Sequence, residues 1–130
     1  MKCVFFDRDG IVNESPGPGY VESWDDFHLQ SEFVDVLRVV KDLGYEAVIV
    51  TNQRGVSRGI VPMEVVEDMH RRLSEILDTE HGLSLLDICC CPHGNDACEC
   101  RKPKPGMLLD AAERHGIDLS QSWMIGDNET

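Results

Sequence analysis

The amino-acid sequence predicts an α/β protein with a Rossmann-like core, in which a mainly parallel sheet carries helices on its faces. Short apolar runs alternate along the chain with longer segments of helical periodicity. Strands that alternate with helices are connected by right-handed crossovers, which makes neighbouring strands parallel. The length of 130 residues suffices for one hydrophobic core. We therefore expect residues 1–130 to form a single domain.

A pair of acidic residues follows the first predicted strand. The apolar run within residues 2–6 indicates a buried strand, and Asp7 and Asp9 come directly after it. While the backbone stays extended, alternation puts both carboxylates on the same side, and Gly10 permits a turn. Two carboxylates that lie so close repel each other, and a divalent cation such as Mg²⁺ would offset this repulsion. The first ten residues therefore predict a metal-dependent acid site at a sheet edge.

An irregular segment and a helix come next. Residues 10–30 are predicted to be irregular, because proline and glycine are dense between positions 15 and 20. A helix is predicted over residues 32–43, with Ser31 as its N-cap and Gly44 just beyond its end.

The second predicted strand spans residues 45–50 and is followed by polar side chains at positions 51–53. A helix over residues 62–79 comes next, with Pro62 as its first residue. Its apolar residues recur at helical spacing, so we expect them to face the core rather than to bind a ligand.

The last predicted elements are a strand over 85–90, a helix over 105–115 and a strand over 123–125. Polar groups thus follow several strands, and the carboxyl ends of parallel strands meet at one edge. The basic run 101–104 opens the last helix. Each motif alone is compatible with an ordinary turn or a solvated surface. Their combination of carboxylates, polar donors and cations in one crevice favours phosphoryl transfer.

The charge and hydropathy of the chain exclude several classes of partner. A net charge of −12 argues against nucleic acid and against anionic membranes. No apolar run approaches the ~20 residues of a membrane span. The N-terminus shows no signal-peptide pattern, so a cytoplasmic location is expected. The sequence leaves the oligomeric state open.

Five of the six cysteines lie between positions 89 and 100. Cys91, His93, Cys98 and Cys100 offer three thiolates and an imidazole, which fit a closed tetrahedral Zn²⁺ site. Their one-residue gaps are tighter than those of common zinc fingers, and disulfides or free thiols are the alternatives. The other cysteines fall in predicted strands and are expected to be buried hydrophobic residues: Cys3, Cys89 and Cys90.

Four motifs in this order resemble those of the haloacid dehalogenase (HAD) superfamily. They are Asp7-Arg8-Asp9-Gly10, Thr51-Asn52, Lys102-Pro103 and Gly126-Asp127. Together with Cys-Pro-His and Cys-Arg-Lys-Pro, they resemble the group that contains heptose 1,7-bisphosphate 7-phosphatases and histidinol-phosphate phosphatases. The resemblance implies a HAD core without a large cap domain, and it supports a zinc-binding loop over residues 91–100.

The resemblance also implies roles for individual residues. Asp7 would be the nucleophile that forms an aspartyl-phosphate, and Asp9 would protonate the leaving group and then activate water. Mg²⁺ would be held by Asp7, by the Asp9 carbonyl and by Asp127. The implied phosphate- or substrate-binding residues are Arg8, Thr51, Asn52, Gln53, Arg101 and Lys102.

The substrate implied by the resemblance is a small phosphorylated metabolite. D-glycero-D-manno-heptose 1,7-bisphosphate, a sugar phosphate of carbohydrate metabolism, comes first. The alternatives are histidinol phosphate, or a catalytically inactive domain that only binds a phosphorylated ligand. The motif around Asp127 continues further in the resembled family, so we expect the chain to lack a C-terminal strand and helix.

Overall fold

In a computed structural model, the residues that the structure describes form four strands and three helices. The structure describes residues 1–14, 21–52, 59–91 and 106–126. The strands are β1 (Cys3–Asp7), β2 (Glu46–Asn52), β3 (Asp87–Cys91) and β4 (Trp123–Ile125). The helices are α1 (Ser31–Asp42), α2 (Met63–His81) and α3 (Gly106–His115), with 3₁₀ turns at Trp24–Asp26 and Leu119–Gln121.

All pairings within the sheet are parallel, and the strand order is β3-β2-β1-β4. The central strand β1 pairs with β2 on one side and with β4 on the other. The predicted α/β class and the parallel sheet are thereby confirmed. The alternation of strands with helices made this topology predictable, because each crossover returns the chain to the same edge of the sheet.

Alternating side chains of the sheet divide the core into two parts. Val4 and Phe6 of β1 pack with Phe33 and Leu37 of α1 and with the apolar face of α2. Cys3 and Phe5 of β1, which point to the other face, pack in a smaller cluster. That cluster includes Ala111 of α3 and Ile117. Helices therefore cover both faces of the sheet.

The boundaries of two helices differ from those predicted. Gln30, not Ser31, is the N-cap of α1, and no side chain caps that end. Pro62 has an extended ψ of 144° and is the N-cap of α2 rather than its first residue. Helix α2 continues to His81 and ends where Gly82 adopts φ 64°. The left-handed conformation of this glycine stops the helix.

The described parts of segment 10–30, residues 10–14 and 21–30, are irregular, as predicted, apart from a 3₁₀ turn at Trp24–Asp26. It folds back onto the sheet and buries Val12, Val21 and Phe27 in the larger core cluster. The amide of Gln30 donates to the carbonyl of Val12 at 2.9 Å, and the amide of Glu14 donates to that of His28 at 2.9 Å. These bonds tie both ends of the segment together beside β1. No helix in the described residues is long and apolar enough to cross a membrane.

Candidate active site

The strands β1, β2 and β3 end side by side, and polar residues stand at these ends. Asp7 is paired in register with Val50, directly before Thr51, and Asn52 is paired with Cys91. Asp7 and Thr51 are buried, with relative exposures of 5% and 2%. The prediction that the acid pair and Thr51 share one edge of the sheet therefore agrees with the register of the strands.

The turn after β1 is held by a dense set of backbone hydrogen bonds. The carbonyl of Arg8 accepts from the amides of Val12 at 2.8 Å and Asn13 at 3.2 Å. Gly10 has φ 96°, a conformation that favours glycine, and its amide donates to the carbonyl of Asn13 at 2.8 Å. The side chain of Gln30 donates to the carbonyl of Gly10 at 3.1 Å. Asp9 therefore sits in a fixed loop rather than in a flexible one.

The carboxylate of Asp9 receives three hydrogen bonds on one oxygen. Its Oδ1 accepts from Arg8 Nε at 2.9 Å and from Arg8 Nη2 at 2.8 Å. The side-chain amide of Asn13 donates to the same oxygen at 3.0 Å. The Asp9 side chain is 30% exposed, whereas that of Arg8 is fully buried. Asp9 is thus an oriented carboxylate at the edge of the solvent.

The placement of Arg8 does not support its predicted role in binding phosphate. Its side chain points into the protein, where Nη1 lies 3.1 Å from Nε2 of His70. Its guanidinium also lies over the ring of Phe27, 5.5 Å from the ring centroid. In the described part of the chain Arg8 is 1% exposed and contacts Asp9, His70 and Phe27, and its role in binding phosphate stays a prediction.

His70 was not predicted to belong to the site. It lies on α2, and its relative exposure is 9%. A signal was present in the sequence, because His70 is four residues after Val66 and three before Leu73, on the apolar face of the helix. Burial, and then the charge of Arg8, lower the pKa of His70 from 6.5 to about 4. The imidazole is therefore neutral at pH 7.

Many predicted site residues lie outside the part of the chain that the structure describes. They are Gln53, His93, Cys98, Cys100, Arg101, Lys102 and Asp127. Only the backbone is described for Asn52 and Cys91, which end β2 and β3. Within the described ranges, no group of three or more histidine, cysteine or acidic residues is arranged to hold a metal ion. The zinc site and the full magnesium site remain predictions.

The cysteines that were expected to be hydrophobic residues lie in strands, as predicted. Cys3 and Cys89 are buried, and Cys90 is half-buried against the core. Burial chiefly raises the pKa of the Cys3 thiol to about 12 and that of the Cys89 thiol to about 11. Both thiols are therefore protonated at neutral pH and contribute packing rather than reactivity.

Comparisons with known proteins agree with this architecture. A HAD-hydrolase-like family model matches residues 99–130. D-glycero-beta-D-manno-heptose-1,7-bisphosphate 7-phosphatase from Helicobacter pylori is 42% identical over 99% of this chain and 74% of its own length. The same enzyme from Pseudomonas aeruginosa is 37% identical over 96% of this chain and 70% of its own length.

A solved structure is also similar to this chain. The D,D-heptose 1,7-bisphosphate phosphatase of B. bronchiseptica, complexed with magnesium and phosphate, superposes with a TM-score of 0.82 at 33% identity. The match covers 92% of this chain and 66% of that structure, slightly less than two thirds. The fold, the acid pair at the end of β1 and the relatives all indicate the same family. The chain therefore belongs to the HAD-like family of D-glycero-beta-D-manno-heptose-1,7-bisphosphate 7-phosphatases.

Proposed function

We propose that this chain carries the catalytic core of a Mg²⁺-dependent phosphatase whose substrate is D-glycero-D-manno-heptose 1,7-bisphosphate. The observation that carries the proposal is the buried Asp7 at the end of β1, which is in register with Val50 directly before Thr51 and lies two positions before the oriented carboxylate of Asp9. The choice of substrate is supported by the relatives from H. pylori and P. aeruginosa, which bear the name of that activity.

The two aspartates divide the reaction between them. The Asp7 carboxylate attacks phosphorus, the bond from phosphorus to the sugar oxygen breaks, and an aspartyl-phosphate forms. Asp9 gives its proton to the departing alkoxide. Asp9 then takes a proton from water as that water attacks the aspartyl-phosphate and releases inorganic phosphate. The hydrogen bonds that fix Asp9 suit this role, because proton transfer requires a donor held within reach of the leaving oxygen.

The remaining polar residues would bind the transferring phosphoryl group. The Thr51 hydroxyl and the Lys102 ammonium would hold its non-reacting oxygens, on which negative charge develops. Three further residues would contact the substrate beside them: Asn52, Gln53 and Arg101. The positive charges of Arg101 and Lys102 would also attract an anionic sugar phosphate to a chain whose net charge is −12.

The donor set fits Mg²⁺, which prefers hard oxygen ligands. Asp7 ends β1, Asp9 lies in the turn that follows it, and Asp127 comes after the neighbouring strand β4 in the sequence. These three residues would hold the ion. When bound, it would offset the repulsion between a carboxylate nucleophile and a phosphate dianion.

A structural zinc is proposed for the loop over residues 91–100. Its ligands would be Cys91, His93, Cys98 and Cys100. Cys91 closes β3 beside Asn52, so this loop starts at the same sheet edge as the proposed active site. Zinc would then tether the segment that leads to Arg101 and Lys102. One zinc per chain is expected by elemental analysis, and stable folding with full activity after its removal by a chelator would contradict the proposal.

The proposed function is tested by measuring phosphate release with Mg²⁺ from a panel of esters. The panel contains heptose 1,7-bisphosphate, other sugar phosphates and histidinol phosphate. We expect the highest kcat/KM for the heptose bisphosphate, and we expect Asp7→Asn to abolish release. Asp35→Asn, a change at an exposed position of α1, is the matched control and should leave activity unchanged. A higher kcat/KM for histidinol phosphate would contradict the proposed substrate. Binding of a phosphorylated ester without its hydrolysis would indicate a catalytically inactive domain.

A further inference from the structure

Three side chains form a chain of contacts that runs from the buried His70 and Arg8 to the partly exposed Asp9 of the proposed active site. His70 of α2 contacts Arg8 through Nε2 and Nη1 at 3.1 Å. Arg8 then donates to Asp9 Oδ1 through Nε and Nη2, at 2.9 and 2.8 Å. Arg8 is 1% exposed and is among the largest fully buried side chains of the described residues. A guanidinium so deep in the protein is stable only if its N–H groups find partners.

The chemistry of this contact fixes the state of His70. A guanidinium has five N–H donors and no acceptor, so the contact requires a lone pair on Nε2. The imidazole is therefore neutral and carries its proton on Nδ1. Burial, with the charge of Arg8 acting in the same direction, lowers the pKa of His70 to about 4, which agrees with a neutral ring. A proton on Nε2 would instead set two donors against each other.

The geometry of Asp9 shows what this chain of contacts achieves. The three side-chain hydrogen bonds that the described residues make to Asp9 meet on Oδ1, two from Arg8 and one from Asn13. Such an arrangement holds the carboxylate plane and leaves Oδ2 as the oxygen that exchanges the proton. The ring of Phe27 covers the guanidinium, so Arg8 is confined by an aromatic face as well as by hydrogen bonds.

We propose that His70 is a positioning residue for the phosphatase reaction: its Nε2 accepts from Arg8, and Arg8 thereby holds the carboxylate of Asp9 in the orientation needed for proton transfer. This inference rests on the proposed function. His70 contacts neither the substrate nor the reacting atoms. Its removal should therefore slow the chemical steps while substrate binding is little affected, because the error lies in the orientation of a proton donor.

The test compares three variants of the full chain. His70→Leu removes the hydrogen-bond acceptor and replaces the ring with an apolar side chain of similar volume. His70→Gln retains an acceptor oxygen near the position of Nε2. His81→Leu, at the end of the same helix, is the control. We expect His70→Leu to lower kcat by about 10- to 100-fold with a KM within about 2-fold of wild type. We expect His70→Gln to regain most of the loss and His81→Leu to match wild type.

Thermal unfolding of each variant separates positioning from packing. If His70→Leu is folded and its kcat stays within about 2-fold of wild type, the inference is wrong. It is also wrong if His70→Gln and His70→Leu lose activity equally and in proportion to their loss of stability. A wild type that hydrolyses no ester removes the proposed function, and the positioning role falls with it.

The tautomer of His70 provides a measurement that does not depend on activity. In ¹⁵N-labelled wild-type protein, long-range proton–nitrogen spectra should show an Nε2 without a proton and a protonated Nδ1. Loss of the signals in His70→Gln assigns them. A wild-type His70 with its proton on Nε2, or a charged ring at pH 7, would overturn the inference even if the protein is an active phosphatase.

Discussion

The rings of Phe6 and Phe33 meet edge to face, with their centroids 5.1 Å apart and their planes at 86°. Phe6 immediately precedes Asp7 on β1, and Phe33 lies in the first turn of α1. Phe33 is 2% exposed and Phe6 is fully buried. The contact therefore joins the strand of the proposed nucleophile to the helix that packs beneath it.

Replacing Phe33 by alanine should destabilise the fold. We expect Phe33→Ala to lower the free energy of unfolding by about 3–5 kcal/mol, since it removes a buried ring and leaves a cavity against Phe6. The measurement is the urea midpoint at constant m-value. Val39→Ala, on the exposed side of α1, should change stability by no more than about 0.5 kcal/mol. Equal effects of the two changes would contradict this account of the core.

The stability of the fold should depend on pH through Asp87. Burial opposes ionisation of this carboxyl, but the hydrogen bond to His115, the amide of Ile88 and the charge of Arg114 outweigh it, so the pKa lies below the ordinary 3.8. A carboxyl whose pKa is lower when folded stabilises the fold above its ordinary pKa. That contribution is lost as pH falls through the folded pKa. Acid should therefore weaken the interaction of Asp87 on β3 with Arg114 and His115 on α3.

Asp87→Asn tests this dependence. Relative to wild type, the variant should be less stable at pH 7, and the difference should shrink as pH falls below about 4. Urea unfolding across that range measures it. Asp110→Asn, which removes a more exposed partner of Arg114, is the control and should change stability little at any pH. A difference for Asp87→Asn that grows in acid would reverse the assigned sign.

The turn after β1 should depend on Gly10. At φ 96° a side chain is strained, so Gly10→Ala should cost about 1–3 kcal/mol of stability and should disturb Asp9. Gly82→Ala is the matched control, because Gly82 also has a positive φ of 64° but ends α2 in open space. Both variants should lose stability, and only Gly10→Ala should lose phosphatase activity beyond that loss. Activity is compared at a temperature where both are folded.

The buried thiols of Cys3 and Cys89 should react slowly with iodoacetamide. Their raised pKa values keep them protonated at pH 8, and the thiolate is the reactive form. Peptide mapping should show little modification of either residue in the native protein and complete modification in urea. Rapid labelling of Cys3 in the folded protein would mean that β1 opens readily.

The placement of Asp7 and Thr51 could be predicted because it depends on local patterns. Apolar runs mark the strands, parallel connection brings their carboxyl ends together, and the residues that follow those runs must share an edge. The structure extends β1 to Asp7 and β2 to Asn52, so these polar residues are the last of their strands rather than the first of a loop. Strand ends are poorly defined by composition alone, since a polar side chain does not prevent backbone pairing.

The direction of Arg8 could not be predicted from its neighbours. A cation between two acids can face a substrate or turn inward, and the choice depends on His70, which is 62 positions away. The start of α1 was mispredicted for a related reason. Ser31 satisfies the local N-cap preference, but the backbone and side chain of Gln30 bind Val12 and Gly10 and fix the helix start one residue earlier. In both cases a tertiary contact decided between local alternatives.

The central position of β1 sets an order of assembly during synthesis. Residues Cys3–Asp7 are translated long before β4, yet Val4 pairs in register with Trp123 of that strand. The edge of β1 that pairs with β4 therefore stays unpaired until nearly the whole described chain has been translated. The nascent strand is apolar and carries an unpaired edge throughout that interval, which exposes it to aggregation. Pairing of β1 is thus completed only after β4 has been made, so slow elongation between the two strands should lower the yield of folded protein.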